Sequence, residues 1–233
     1  MIAENLNKIR RSLEDACENC GRNRDEVRLI AVSKFKPAED ILEAYEAGQR
    51  LFGENRTQEL SAKQAVLPAD IEWHFIGNLQ KNKVKYLVGK AALIHSVNSA
   101  ELIREIERLA AVRNVTQEIL LEINIAGEQS KQGAALSEAE DLIRTAAGQP
   151  HLRLRGLMAV APLSEDPEDS RPYFRQLRDL RERFRSELPE PAAFDQLSMG
   201  MSGDYLVAVQ EGATLVRIGT AIFGPRNRPD PVR

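Results

Sequence analysis

Segments that read as β-strands alternate with segments that read as helices along the whole chain, and this alternation restricts the fold more than any other feature. β-Branched and apolar runs fall near residues 27–35, 50–53, 71–76, 92–97, 117–125, 152–160, 194–197 and 214–218. Helical patterns separate them, near 57–65, 81–87, 99–112, 137–147, 172–187 and 203–211, with Ile41, Leu42 and Tyr45 marking the face of an earlier one. Strands joined through helices pair in parallel. Eight such units in 233 residues predict an α/β fold, a single (β/α)8 TIM-type barrel. An extra N-terminal helix over 2–18 is expected to cover the outside where an eighth helix would otherwise lie. The competing architecture is a doubly wound open sheet, which needs edge strands, and no strand reads as clearly polar. No stretch of Gly, Ser or Pro divides the chain, so one domain over 1–233 is expected, with 226–233 a frayed tail.

Composition excludes several functions. Lys and Arg number 32 against 35 Asp and Glu, a net charge of −3, so there is no basic footprint for nucleic acid. No apolar run approaches membrane-spanning length, and the first residues lack the layout of a signal peptide. A cytoplasmic location is expected. Cys17 and Cys20 form a C-x-x-C pair late in the helical pattern of Leu6, Ile9 and Leu13. A redox pair follows a strand and opens a helix, so these read as two helix cysteines. Three scattered histidines do not supply a zinc site, and no metal is expected. The acidic stretch 163–169 reads as a solvated loop on the mouth side of the barrel, and Lys81, Lys83 and Lys85 as a solvated helix face.

The run Leu29 to Phe35 leads into Lys36 and Pro37. Proline cannot continue a ladder and holds the preceding residue extended. An amine is thereby fixed at the exit of a buried strand, where parallel α/β proteins place their chemistry. Partial burial lowers the pKa of such an amine and makes it a Schiff-base former. On a regular strand Lys34 shares a face with Lys36, and spacing alone does not choose between them. A buried Lys34 needs a carboxylate, for which Glu54 and Glu122 are the candidates.

A lysine at a barrel mouth either attacks a substrate carbonyl, as in a cofactor-free aldolase, or holds pyridoxal 5′-phosphate. The second use needs a phosphate site. Ser198-Met199-Gly200-Met201-Ser202-Gly203-Asp204 follows the seventh strand and opens a helix, while Gly219-Thr220 follows the eighth. Barrels bind phosphate with these loops, through close backbone N–H groups and helix N-termini. The same run also serves ordinary turn chemistry, with Asp204 as a first-turn acid. Arg217 stands in an apolar strand and must be paired or solvated in a site. It is either a structural ion pair or a guanidinium facing the pyridine nitrogen. A permanently protonated Arg cannot readily protonate that nitrogen, which weakens the ring as an electron sink.

The whole chain resembles the YggS/PROSC-type pyridoxal 5′-phosphate homeostasis proteins. The matching stretches run in order: Ala31-Val32-Ser33-Lys34-Phe35-Lys36-Pro37, Phe52-Gly53-Glu54-Asn55, His74-Phe75-Ile76-Gly77-Asn78-Leu79-Gln80-Lys81-Asn82-Lys83, Ile94-His95-Ser96-Val97, 124–133, Arg155-Gly156-Leu157-Met158, 197–202 and 216–224. Asn78 departs from the family's more usual residue. The resemblance implies a barrel like the N-terminal domain of alanine racemase, with Lys36 rather than Lys34 bearing the cofactor. It implies that Ser198, Gly200, Ser202, Gly219 and Thr220 hold the phosphate, that Arg217 faces the pyridine nitrogen, and that Asn55 and His74 lie near the ring. His74 reads equally as a satisfied lining histidine, and Asn55 as a helix cap. The implied function is a monomeric carrier or buffer that forms an internal aldimine and delivers pyridoxal phosphate to apo-enzymes, without catalytic residues of its own. The alternative is an amino-acid racemase-like enzyme of the same barrel. Racemization needs acid/base groups on both faces of the substrate Cα. The chain is expected to lack the second domain that supplies one of them in the racemases, and its tyrosines, 45, 86, 173 and 205, all fall on predicted helices.

Overall fold

Eight parallel strands close on themselves in a computed structural model that describes residues 1–128, 132–188, 190 and 192–225. The expected frayed tail, 226–233, lies outside the described residues. The strands are β1 (Arg28–Val32), β2 (Leu51–Glu54), β3 (Glu72–Phe75), β4 (Leu93–Val97), β5 (Gln117–Asn124), β6 (Leu152–Met158), β7 (Gln196–Ser198) and β8 (Leu215–Ile218). Each pairs with the next, and β8 returns to β1 with Leu29 opposite Val216 and Ala31 opposite Ile218. Closure removes both sheet edges, which rules out the doubly wound alternative. A two-residue strand, Ala134–Ala135, pairs with the end of β5 beside the barrel and was not foreseen.

Alternation along each strand builds two apolar layers. Ile30, Leu51, Leu93, Leu120, Met158 and Leu215 meet inside the barrel. Their neighbours, including Leu29, Ala31, Phe52, Ile94, Ile119 and Leu121, pack outward under the helices. Gly156 is needed where β6 meets β7. Its φ is +151°, and an added Cβ would lie 1.9 Å from the carbonyl oxygen of Gln196.

The helices are α1 (Ile2–Asn19), α2 (Ala38–Glu46), α3 (Thr57–Gln64), α4 (Ala100–Arg113), α5 (Ala139–Ala147), α6 (Arg171–Arg185), α7 (Tyr205–Gln210) and α8 (Thr220–Phe223). The segment after β3 forms a 3-10 helix, Lys81–Tyr86. Ser99 starts α4 by accepting a hydrogen bond from Leu102 N at 3.3 Å, and Asn114 ends it at φ 51°. α8 has only four residues, so α1 covers the outside of the closing seam, as expected. α1 buries Leu6, Ile9 and Leu13 against α2, α7 and α8, and Asn5 Nδ2 donates to Ile222 O at 2.9 Å. Cys17 is buried in α1, Cys20 directly follows it, and both are free thiols. Among the described residues no helix is long and apolar enough to cross a membrane, and no group of three or more His, Cys, Asp or Glu could hold a metal.

Candidate functional site

The C-terminal ends of β1, β2 and β8, with the loops after β7 and β8, enclose a cavity of about 300 Å³. Lys36 lines it, but not from a strand. β1 ends at Val32 rather than near 35, and a tight turn takes over. Lys36 N donates to Ser33 O at 3.0 Å, Phe35 N donates to Glu59 Oε2 at 3.0 Å, and Phe35 adopts φ 62°. Lys34 and Lys36 therefore do not alternate on a regular strand, although both line the cavity. Pro37 then caps α2. Lys36 Nζ donates to Phe223 O at 2.7 Å and Pro225 O at 3.1 Å, so the segment after β8 holds the amine.

A buried ion pair supports this turn from below. Glu54 Oε1 accepts from Ser33 Oγ at 2.6 Å and from Lys63 Nζ at 2.6 Å, and Lys63 Nζ also donates to Ser33 O at 2.8 Å. Glu54, expected beside Lys34, is thus engaged by Lys63 and Ser33. Burial pushes its carboxyl above the ordinary range, against the pull of Lys63 and Ser33.

Arg217 reaches the cavity from β8 with only 5% of its surface exposed. Its Nη1 donates to Ser198 Oγ at 2.5 Å and its Nη2 to Ala159 O at 2.9 Å. Burial lowers the guanidinium to about 10, so it remains charged at neutral pH. Glu122 shares the inward face of β5 with Leu120, and its Oε2 is buried with no hydrogen-bond partner. Burial raises its carboxyl from 4.5 to about 7, with Arg217 opposing. The folded state then binds a proton that the unfolded state has released, so this residue makes stability fall as pH rises between those two values. Glu122→Gln removes that fall. Urea midpoints between pH 5 and pH 8 check this, and an unchanged slope in the variant would refute it.

The loops after β7 and β8 bring small residues to the cavity wall. Ser202, Gly203, Gly219 and Thr220 line the cavity. An added Cβ on Gly203 meets nothing within 4 Å, whereas on Gly219 it would lie 3.2 Å from Val32 O. Asp204 stands at the N-cap position of α7, but its carboxylate does not bond the helix: Oδ1 accepts from Met201 N at 2.6 Å and Oδ2 from Ser170 Oγ at 3.1 Å. Gly200 does not line the cavity. At φ +91° it lets the loop lie on α7, where an added Cβ would come 2.6 Å from Ala208 Cβ. Asn55 does line the cavity and does not cap α3, whose N-cap is Arg56. Its Oδ1 is buried without a hydrogen-bond partner. Gly77 lies so close that a Cβ there would be 2.1 Å from Asn55 O.

Ser198 and His74 are also absent from the cavity wall. Both are buried inside the barrel, Ser198 under Arg217 and His74 deeper still. The residue that connects them is His95, to which the sequence reading gave no role. His95 Nδ1 meets Ser198 Oγ at 2.9 Å, and His95 Nε2 meets His74 Nδ1 at 2.9 Å. His74 Nε2 continues to Glu72 Oε1 at 3.0 Å. Burial lowers the pKa of both histidines, which keeps them neutral at pH 7.

The alanine racemase N-terminal domain model matches residues 4–227. A pyridoxal phosphate homeostasis protein of Aquifex aeolicus is 45% identical over 224 residues, covering 96% of this chain and 97% of that protein. The chain belongs to the pyridoxal phosphate homeostasis protein family. Among solved structures, an unknown protein from Bifidobacterium adolescentis superposes at a TM-score of 0.90 with 34% identity, covering 95% of this chain and 94% of that one. PipY of Synechococcus elongatus, solved with PLP bound, gives a TM-score of 0.83 with 36% identity, covering 96% and 100%. The family assignment agrees with the closed barrel.

Proposed function

We propose that this chain binds pyridoxal 5′-phosphate in the cavity at the barrel mouth and carries or buffers it for apo-enzymes. One observation supports this above the others. A single cavity joins an amine from the β1 turn, a guanidinium from β8 and the open loops after β7 and β8. The residues fit the group. Lys36 supplies the amine for covalent attachment, and Arg217 supplies a fixed donor for the pyridine nitrogen. Ser202, Gly203, Gly219 and Thr220 supply hydroxyls and backbone amides for the phosphate. Asn55 Oδ1, buried and unpartnered, gains a role beside the ring. When bound, the cofactor offers an aldehyde and an electron-withdrawing ring. Arg217 holds its own proton and leaves that ring a weak electron sink.

Carriage is favoured over turnover by the cavity lining. Among the described residues no tyrosine, histidine or carboxylate lines the cavity, so Lys34, Lys36 and Arg217 are the ionisable groups there. An amino-acid racemase needs a second acid/base group opposite the lysine. A cytoplasmic monomer belongs to this reading, and two free thiols suit a reducing compartment. Purified protein should retain pyridoxal phosphate through gel filtration, with a near-visible absorbance band. Its rate in racemase and decarboxylase assays should equal that of Lys36→Ala. A colourless protein after incubation with the cofactor would refute binding, and robust turnover would favour the enzyme.

A further inference from the structure

Four hydrogen bonds run inside the barrel from one mouth to the other. Glu72 and Arg28 are the first residues of β3 and β1, and they pair at the N-terminal mouth, half exposed. From Glu72 the path passes through His74, His95 and Ser198 to Arg217 at the cavity. Its links are 3.0, 2.9, 2.9 and 2.5 Å. Both histidines and Ser198 are buried, with no more than 1% exposure, so water does not compete for these bonds.

The two ends fix the direction of every bond. A guanidinium only donates, and an ionised carboxylate only accepts. Glu72 is held ionised, at about 2, by its hydrogen bond from His74 first and by Arg28. His74 must therefore place its proton on Nε2, which leaves Nδ1 as an acceptor. His95 answers with a proton on Nε2, which leaves its own Nδ1 as an acceptor. The Ser198 hydroxyl then donates to His95 and receives from Arg217. No other proton arrangement satisfies all four bonds with neutral imidazoles.

We infer that His74, His95 and Ser198 are positioning residues for Arg217, a hydrogen-bonded wire of fixed polarity through which Glu72 at the opposite mouth sets the orientation and donor strength of Arg217 at the cavity. A buried guanidinium with two of its donors anchored cannot swing, so its remaining donors keep one aim. The wire does not move protons out of the site, because Arg217 stays protonated at neutral pH. The inference that this orientation acts on a pyridine ring rests on the functional reading above. The wire itself does not.

The test has two arms. In the first, 15N-labelled histidine signals of the protein without added cofactor report the tautomers. His74 and His95 should both carry the proton on Nε2. His151 is an internal contrast, because it meets Glu107 through Nδ1. Glu72→Ala removes the terminal acceptor and should mix the tautomers of His74 and His95, although the substitution is remote from the cavity. A proton on Nδ1 of either residue in the unaltered protein, or unmoved signals in Glu72→Ala, would overturn the wire.

In the second arm, protein loaded with pyridoxal phosphate is compared with His95→Leu and His95→Gln. Leucine breaks the path. It should shift the absorbance maximum and weaken cofactor retention by on the order of tenfold, the effect of one lost hydrogen bond to a charged group. Glutamine has one donor end and one acceptor end, as neutral imidazole does, and should restore the original maximum. A folded His95→Leu with unchanged spectrum and retention would overturn the coupling. If His95→Leu fails to fold, Glu72→Ala decides the same point by its spectrum. Should the unaltered protein take up no pyridoxal phosphate, the functional reading fails, and the tautomers still decide the wire.

Discussion

Replacing Lys36 with alanine should abolish borohydride-fixed incorporation of pyridoxal phosphate, while Lys34→Ala should keep it. Both amines line the cavity, so the pair of variants discriminates between them. The geometry favours Lys36 for two reasons. The Ser33 O to Lys36 N bond at 3.0 Å and the left-handed Phe35 fix its backbone in a closed turn. Its Nζ lies 2.7 Å from Phe223 O, three residues beyond Thr220 on the phosphate side. The amine is thus tied to the four-residue helix that Thr220 begins, and both residues line the same cavity. The expected loss is complete for covalent retention. Weak reversible binding through the phosphate loops should survive, visible as protection from thermal unfolding at high cofactor concentration. Mass spectrometry after reduction reads the result. Label retained in Lys36→Ala and lost in Lys34→Ala would transfer the role to Lys34.

Lys63→Met should destabilise the folded chain by about 3–5 kcal/mol at pH 8, the effect of removing one partner from a buried ion pair. For a chain of this size that lowers Tm by on the order of 10 °C. Glu54 is fully buried, and its Oε2 already lacks a partner. Without Lys63 it keeps only the Ser33 hydroxyl, and its carboxyl rises further above the unfolded value. A raised carboxyl disfavours folding once pH exceeds the unfolded value of 4.5 and does so more as pH increases. The deficit of the variant should therefore shrink as pH falls from 8 to 5. Because Lys63 also holds Ser33 O, the same variant should loosen the turn that carries Lys36 and slow cofactor attachment. A deficit independent of pH would show that the change acts through packing and not through Glu54.

The sequence made the barrel readable because its signal is local and repeated: apolar runs of strand length, each followed by a helical period. It also located the mouth, since Lys36, Ser202, Arg217, Gly219 and Thr220 all lie at or just past strand ends. Depth along the barrel axis was not readable. Alternation states which face His74 and Ser198 occupy, but their level depends on the stagger between strands, where His74 lies opposite Leu93. That stagger is what brings His95 within 2.9 Å of His74. The end of β1 was also misjudged, because nothing in Ser-Lys-Phe-Lys announces a phenylalanine at positive φ. The cause is tertiary, a hydrogen bond from Phe35 N to Glu59 on α3. Lys63 escaped notice as one more basic residue on a helix.

The seam between β1 and β8 joins the first and last strands of the barrel, and the proposed ligand would be gripped from both of its sides. Such a molecule acts as a clasp across the two ends of the chain, so its site does not exist until the final strand has docked on the first. Contacts of this sequence span are the slowest to form in a folding chain. Newly made chains would thus acquire their cargo only after closure.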